Sequence, residues 1–517
     1  LPGVGKSIAA TISEISQSGH SETLSTLLKQ TPAGIMELLT IKGIGSRKIK
    51  TAWDHLGVEG VEDLFLAAKS GTLSDLPGFG AKTQDRVLQI LEFYTEHKGL
   101  LHYKDAHQQG LLFEKSVFQK FPSTKLARTG AFRRKLEVVS GLEYLWATDD
   151  FSQLEQFLER LEMVTFDPKR SGPFRWRGEF LETAIKLDLR FCKLEEYGNK
   201  QVYYTGNLDH LLRSNQRGIA LMDIIDQPFA QEQDLYQELG WPEIIPELRE
   251  GLYEQEYQTS DDFDNILQLG DLKGILHNHS TYSDGKNSLY EMAQACKELG
   301  YQYLGISDHS QTAVYANGLD IERVNAQHKE IDDLNQQLSP FKILKGIESD
   351  ILNDGKLDYP DEVLKRFDFI VASIHFNINM DEDQATSRLI KAIENPYTTI
   401  LGHPTGRQLL KRKGYPIDHK RVIEACANHN VAIEINAHPW RLDMDWRWVH
   451  YAVQKGVLIS INPDAHEIEG LNDVQYGVNV ARKAGLTKEM TFNAMSLKDM
   501  QGFLSRRKGV ADEISVE

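Results

Sequence analysis

The sequence predicts a multidomain protein: an α-helical N-terminal region, an α+β middle, and a C-terminal parallel βα barrel. Three observations carry that reading. Seven apolar bursts, from KGILHNH at His279 to LISINPDAH at His466, each run into His, Asp or Glu. A Gly-apolar-Gly unit followed by a helical stretch occurs three times in the first hundred residues. Between them, strand-like KLEVVSGLEYLWA and AIKLDLRFC alternate with helical FSQLEQFLERLEM and DLYQELG.

Composition bounds the function. With 517 residues, 41% of them hydrophobic and 26% charged, the chain can build several ordinary cores. No apolar run approaches the ~20 residues that span a bilayer, so no membrane role is expected. The chain starts at Leu1 without a leader, which reads as a truncated start rather than a secreted protein. Cys192, Cys296 and Cys426 are scattered, which suits a reducing cytoplasm and speaks against disulfides or a thiolate metal site. The net charge of -17 is uneven. Residues 1–136 hold 18 Lys and Arg against 13 Asp and Glu, and the remainder 40 against 62. The first part suits a polyanion and the second suits cations.

The N-terminal repeats read Leu1-Pro2-Gly3-Val4-Gly5-Lys6-Ser7-Ile8, Ile41-Lys42-Gly43-Ile44-Gly45-Ser46-Arg47-Lys48 and Leu76-Pro77-Gly78-Phe79-Gly80-Ala81-Lys82-Thr83. Gly-apolar-Gly turns tightly and points backbone N–H groups from a helix N-terminus, an anion site suited to a phosphate. Such contacts touch the nucleic-acid backbone and not the bases. The bland alternative is helix capping. The three copies resemble the helix-hairpin-helix motif of DNA repair proteins. The resemblance implies DNA binding at Gly3, Gly5, Lys6, Gly43, Gly45, Lys48, Gly78, Gly80 and Lys82. The middle copy has Lys42 where Pro is usual.

In the middle region, the run from Gly130-Ala131-Phe132-Arg133-Arg134 to Gly141-Leu142-Glu143 resembles the palm motif of family X DNA polymerases. Tyr203-Tyr204-Thr205-Gly206 resembles the family's nucleotide-site segment, and residues 238–250 match its bacterial members. The chain thus resembles the bacterial enzymes that join such a polymerase to a C-terminal PHP domain. That resemblance implies a helix-hairpin-helix region over 1–100, palm and thumb over 101–258, a linker at 259–269 and a PHP domain over 270–517. The departures matter. Gly141 and Glu143 stand where the family has two metal-binding aspartates, and Ala131 replaces its phosphate-binding Ser. Asp188 alone matches the third carboxylate. Two-metal phosphoryl transfer needs bridging carboxylates that hold ions about 3.5–4 Å apart. Gly141 supplies none, and the extra methylene of Glu143 displaces its oxygens. Polymerase activity is therefore expected to be lost or very weak. The alternative is that Glu143 and Asp188 keep one metal. Arg133 and Arg134 would either bind DNA or pair with Glu137.

In the C-terminal part, His277-Asn278-His279 at a strand end sends both imidazoles to one side, because side chains alternate. It resembles the first motif of PHP phosphoesterases. Nine positions match that family's ligands: His277, His279, Asp284, His309, Glu348, His375, His403, Asp464 and His466. The resemblance implies a distorted (β/α)7 barrel with up to three divalent ions. His277, His279, Glu348 and Asp464 would hold the first, Glu348, His375 and His403 the second, and Asp284, His309 and His466 the third. The His and carboxylate mixture suits manganese or zinc, with iron a further candidate. Arg441 would clamp a phosphate. Asp308 would orient a ligand or relay a proton. His328, His419, His429 and His450 lack a strand-end context and read as structural. His438 ends a strand but matches no family ligand, and stays undecided.

The expected function is a metal-dependent phosphodiesterase on gapped or 3'-ended DNA: a 3'-5' exonuclease, 3'-phosphatase or abasic-site endonuclease. Two alternatives stand beside it. One is a phosphatase for small phosphoesters. The other is a non-catalytic platform that binds DNA ends.

Overall fold

The computed structural model describes residues 5–514. The chain forms two compact units. One runs to Gly99 and includes Leu410–Lys413; the other takes Leu100–Leu409 and the chain from Gly414 onward. No helix among the described residues is long and apolar enough to cross a membrane.

The first unit is helical. Three of its helices, Lys6–Ser18, Ser46–Leu56 and Ala81–His97, start directly after the second glycine of a Gly-apolar-Gly unit. Gly43 and Gly78, the first glycines of two units, have φ of 97° and 80°, a left-handed turn that disfavours other residues. Ile41 and Ile44 from one turn join Leu38, Ile49, Leu64, Val87 and Leu91 in a buried core. The second and third repeats are therefore corners between helices anchored by their own apolar residues, Ile41 and Ile44 in one and Leu76 and Phe79 in the other.

The second unit starts with an α+β layer. Strand β1 (Leu101–His102) pairs with β3 (Val138–Val139). A mixed five-stranded sheet runs in the order β2 (Lys125–Arg128), β4 (Leu142–Ala147), β7 (Lys186–Cys192), β6 (Arg175–Phe180) and β5 (Val164–Phe166). Only β4 and β7 are parallel, and their register sets Glu143 beside Asp188.

Seven parallel strands then follow in sequence order: β8 (Gly274–Ile275), β9 (Tyr303–Ile306), β10 (Lys342–Asp350), β11 (Phe369–Ser373), β12 (Ile400–Leu401), β13 (Ala432–Asn436) and β14 (Ile459–Asn462). Both faces are covered, which is why the strands read as unbroken apolar runs. The two edges meet just beyond the strands. Asn278 bridges Ala465, and the His279 N–H donates to the Ala465 carbonyl at 2.8 Å. This nearly closes the barrel at the end where the ligand residues lie. The helices between strands start on side-chain caps: Ser288, Asp320, Asp381, Asp418 and Asp445 each accept a backbone N–H.

The expected linker departs from its reading. Residues 259–269 are turn-rich, but Ile266 and Leu267 are buried, and the Leu267 N–H donates to the Leu486 carbonyl at 2.9 Å. The segment is docked because Leu267 buries in the core that includes the barrel and Ile266 in a cluster with Val202, Leu235 and Tyr236. The α+β layer and the barrel also pack as one unit. Lys483, fully buried on a barrel helix, donates to Glu250 Oε1 at 2.5 Å and to the Arg134 carbonyl at 3.1 Å.

Candidate metal centre

Each barrel strand delivers a polar side chain to the same end. β8 leads to His277 and His279, β9 to Asp308 and His309, and β10 carries Glu348. β11 leads to His375, β12 to His403, and β14 to Asp464 and His466. Glu348 is the hub. Its Oε1 lies 3.3 Å from His277 Nε2, 3.2 Å from His375 Nε2 and 3.0 Å from His403 Nε2. Its Oε2 lies 3.0 Å from His309 Nδ1 and 3.7 Å from His279 Nε2. Five imidazoles thus converge on one buried carboxylate. Asp464 Oδ1 approaches His279 Nε2 at 3.1 Å, and Asp284 Oδ1 approaches His466 Nε2 at 3.4 Å.

Many of these approaches are not hydrogen bonds. His277 Nε2, His279 Nδ1, His309 Nδ1, His403 Nδ1 and Glu348 Oε2 are buried without a hydrogen-bond partner. Buried polar atoms left unpaired are costly, and a cluster of them facing one another fits coordination of cations. Three groups have donor atoms close enough to share an ion: His279, Asp284, His309 and His466; His277, His279 and Asp464; His309, Glu348 and His375. Eight of the nine sequence-picked ligands fall in these groups, and the ninth, His403, reaches Glu348 at 3.0 Å. The groupings differ in detail from those the resemblance implied, since His279 and His309 are each shared.

Charge is distributed accordingly. Burial opposes ionisation of Glu348, but His375, His277 and His309 hold its pKa well below the usual carboxylate range. Asp464 is held low against the same burial by His277, His279 and His466. His279, surrounded by His466 and His309 as well as buried, is pushed down to about 3.

The supporting shell holds residues that sequence reasoning missed. The His277 Nδ1–H donates to Glu434 Oε1 at 2.7 Å, and the His375 Nδ1–H donates to Asp350 Oδ1 at 2.6 Å. Glu434 also accepts the His403 N–H at 2.8 Å, and Asn436 donates to Asp464 Oδ2 at 3.0 Å. Carboxylates behind histidines fix the tautomer that presents Nε2 inward. Glu434 and Asp350 sit inside strands, two residues from Asn436 and Glu348, so period-two spacing was the one signal for them. Asp308 touches no ligand atom. It accepts the Ser280 N–H at 2.8 Å, the Ser283 N–H at 3.2 Å and the Gln327 amide at 2.6 Å. It is a positioning residue that sets the loop between His279 and Asp284. Arg441 Nε stands 3.7 Å from Asp464 Oδ2, with its side chain partly exposed at the mouth.

His438 falls outside the three groups, and its Nδ1 accepts the Trp440 N–H at 3.3 Å. Among the histidines read as structural, His419 stacks on Trp448, His450 on Tyr253, and His328 meets Phe367 edge-on. The His429 carbonyl accepts from Arg507.

The palm looks different. Asp188 is gripped by Arg175, with one bond at 2.8 Å, and by Arg177 at 3.3 Å; Arg190 donates to Glu143 at 3.0 Å. Burial opposes the charge of Asp188, yet Arg175, Arg190 and Arg177 hold its pKa low. Gly141 has φ of 155°, and a Cβ there would meet the Lys186 carbonyl at 2.7 Å. Arg133 pairs with both oxygens of Glu232 at 2.8 and 2.6 Å, and Arg134 with Glu250 at 2.9 Å. The expected partner Glu137 instead meets Arg407 at 3.4 Å, while Arg133 and Arg134 are taken up by the carboxylates of Glu232 and Glu250.

At the hairpins, Gly45 and Gly80 have ordinary φ of -68° and -161°. Among the described residues nothing lies within 4 Å of a Cβ built on either, nor on Gly5. Lys82 is exposed, and Lys48 lies over the Phe79 ring at 5.9 Å. Gly3 and the Lys6 side chain lie outside the described residues.

A model of the PHP domain matches residues 276–438, and one of the SAM-like helix-hairpin-helix tandem matches residues 35–92. The DNA polymerase/3'-5' exonuclease PolX of Bacillus subtilis (strain 168) is 38% identical over 523 residues, covering 98% of this chain and 90% of that protein. Two proteins named "probable phosphatase" resemble the C-terminal part. One, from Thermoanaerobacter sp. (strain X514), is 28% identical over 43% of this chain and 91% of its own length. The other, from Caldanaerobacter subterraneus subsp. tengcongensis, is 26% identical over 46% and 94%. The barrel with its convergent ligands, the hairpins and a likeness along nearly the whole chain agree: this is a hydrolytic enzyme belonging to the family X DNA polymerase/3'-5' exonuclease PolX proteins.

Proposed function

We propose that the barrel is a 3'-5' exonuclease on DNA ends and that the palm no longer polymerises. The observation that carries the first half is the convergence of five imidazoles on Glu348, where His277 Nε2, His309 Nδ1 and Glu348 Oε2 lack hydrogen-bond partners. The nine residues His277, His279, Asp284, His309, Glu348, His375, His403, Asp464 and His466 would hold divalent ions, with manganese and zinc the best fits to this ligand mixture. Such ions supply an ionised water as nucleophile and neutralise the phosphate. The chain's own residues do the rest. Glu434 and Asp350 hold His277 and His375 in the tautomer that presents Nε2. Asp308 fixes the loop carrying Asp284. Arg441 offers a planar fork to a phosphate oxygen beside Asp464.

The hairpins bind the DNA backbone. Neither conformation nor packing requires glycine at positions 45 and 80, which favours an outside group approaching the backbone N–H groups there. Arg133 and Arg134 serve the fold, since both guanidiniums are already paired with carboxylates. Loss of polymerisation rests on Asp188 and Glu143 facing arginines, and on the room denied to a side chain at Gly141.

The test is digestion of gapped and single-stranded DNA with manganese. Wild type should release mononucleotides from 3' ends, and His277→Ala and Asp464→Ala should not. Absence of product in wild type, or its persistence in both variants, overturns the assignment. The likeness to proteins named phosphatases favours a second reading, hydrolysis of terminal or small phosphomonoesters at the same centre. Competition between a 3'-phosphorylated strand and a 3'-hydroxyl strand separates the two.

A further inference from the structure

Three large apolar side chains on loops at the ligand end of the barrel are largely exposed, although Trp440 also meets the His438 and His102 rings at 5.3 and 6.3 Å between centroids. Val314 and Tyr315, on the short turn Val314–Ala316 after β9, are 82% and 71% exposed. Trp440, on the loop after β13 and next to Arg441, is 56% exposed. In the strand order β9 and β13 are separated by three strands on one side and by β14 and β8 on the other. The two aromatic residues therefore rise from facing parts of the rim. Single exposed apolar residues are ordinary on a protein surface. Here three stand at the entrance to one centre.

Tyr315 is close to that centre. Its ring centroid lies 6.1 Å from that of His309. Partial burial and the carboxylates of Asp350, Glu348 and Asp284 raise its hydroxyl pKa, while Arg441 opposes them.

The loop beneath Tyr315 is rigidly held. The Ser310 N–H donates to the Glu348 carbonyl at 3.1 Å, and Ser310 Oγ accepts the Asp350 N–H at 2.9 Å. Thr312 Oγ1 donates between Asp350 at 2.7 Å and Asp358 at 2.9 Å. At the far end, the Leu319 N–H donates to the His309 carbonyl at 2.8 Å. A Cβ on Gly318 would meet the Ser310 carbonyl at 1.8 Å, so the two ends of the loop touch. A tightly tied base with an exposed aromatic tip is built to present a flat face at a set distance from the metal ligands.

We propose that Tyr315, with Trp440 as its counterpart across the mouth, is a stacking platform for the nucleobase beside the scissile phosphate. The proposal rests on the exonuclease reading and deepens it by naming what holds the strand end. Stacking suits an exonuclease that must accept all four bases, since every base has a π-face. It also separates roles: Arg441 and the ions take the phosphate, and Tyr315 takes the base.

The experiment compares two 3' ends on one strand, one with a normal terminal nucleotide and one whose terminal sugar lacks its base. The metal-loaded full chain is used as wild type, Tyr315→Ala, Tyr315→Phe and Trp440→Ala. Wild type should cleave the baseless end with kcat/KM lower by roughly 5- to 150-fold, the size of one base–aromatic stack. Tyr315→Ala should lose a similar factor on the normal end, mostly through KM, and nothing on the baseless end. Tyr315→Phe should behave as wild type, and Trp440→Ala should show a smaller loss of the same kind. Equal losses of Tyr315→Ala on both ends, or none on either, overturn the proposal. Binding of a strand ending in 2-aminopurine gives a readout without cleavage. Tyr315-dependent quenching with no cleavage by wild type would sink the exonuclease reading and keep the platform. Quenching unchanged in Tyr315→Ala would sink the platform alone.

Discussion

In the palm, Glu143 and Asp188 face three guanidiniums; in the barrel, Glu348 faces five imidazoles. Both sites are built from carboxylates on parallel strands. The difference lies in what the partner can offer. Arginine stays charged and brings only N–H donors, so a carboxylate beside it is satisfied without a cation. Imidazole can bring a lone pair, so carboxylates among imidazoles are completed by one. Glu143 and Asp188 have cationic partners from the chain itself, whereas the barrel cluster could take ions as its partners.

The largest effect expected from this contrast is at the hubs. Glu348→Gln should lower manganese-dependent hydrolysis of DNA ends by at least about 1,000-fold and reduce bound metal in elemental analysis. Asp188→Asn should leave both unchanged. Equal effects at the two positions would break the comparison.

Next comes an attempt to reopen the palm. Gly141→Asp with Glu143→Asp restores the family's carboxylates by composition. It should still give no primer extension, and it should cost roughly 2–4 kcal/mol in urea melts, because the new side chain meets the Lys186 carbonyl. Recovered extension would show that the palm lost its ligands and nothing more.

A smaller effect tests the ion pairs that hold the α+β layer to its surroundings. Burial opposes the charges of Glu232 and Glu247, yet Arg249 and Arg133 hold the first, and Lys135 and Arg482 the second, at about 2. Both folded values lie below the unfolded value near 4.5. Their stabilisation is therefore complete above about pH 4.5 and is lost as pH falls toward 2, with each worth on the order of 2 kcal/mol. Glu247→Gln should melt lower at pH 7, and its melting temperature should fall less than that of wild type between pH 5 and pH 3. An unchanged pH slope would mean that these pairs do not set acid stability.

The smallest effect lies in the hairpins. Gly80→Ala has room and an ordinary φ, so stability should change by less than about 1 kcal/mol. DNA binding should weaken several-fold, and the rate at saturating DNA should hold. Binding equal to that of wild type in a filter or anisotropy assay would reduce the glycines to helix caps.

The gathering of His277, His279, His309, Glu348, His375, His403 and His466 was legible because they end apolar runs that have one stable fate, a buried parallel strand, whereas Asp284 was named by the family resemblance. Residues just past such strands gather at one end of a barrel whatever loops intervene. Glu434 and Asp350 were not legible, since a carboxylate inside a strand looks the same whether it faces a histidine or a helix. The segment at 259–269 reads as a linker because it is turn-rich, and local pattern does not show that Ile266 and Leu267 bury. Arg133 and Arg134 carried a family motif, and their partners Glu232 and Glu250 lie about a hundred residues away.

Sequence alone was enough for the parallel barrel and its polar mouth, because both follow from local pattern and residue identity. Tertiary structure decided which charges meet. Arg177 stands opposite Asp188 by strand register, and Arg175 and Arg190 join them across the same sheet. Lys483 reaches Glu250 only because the α+β layer and the barrel pack together. Electrostatic partners are chosen by distance in space, and distances across a sheet or a packed boundary are not written in the spacing of residues along a chain.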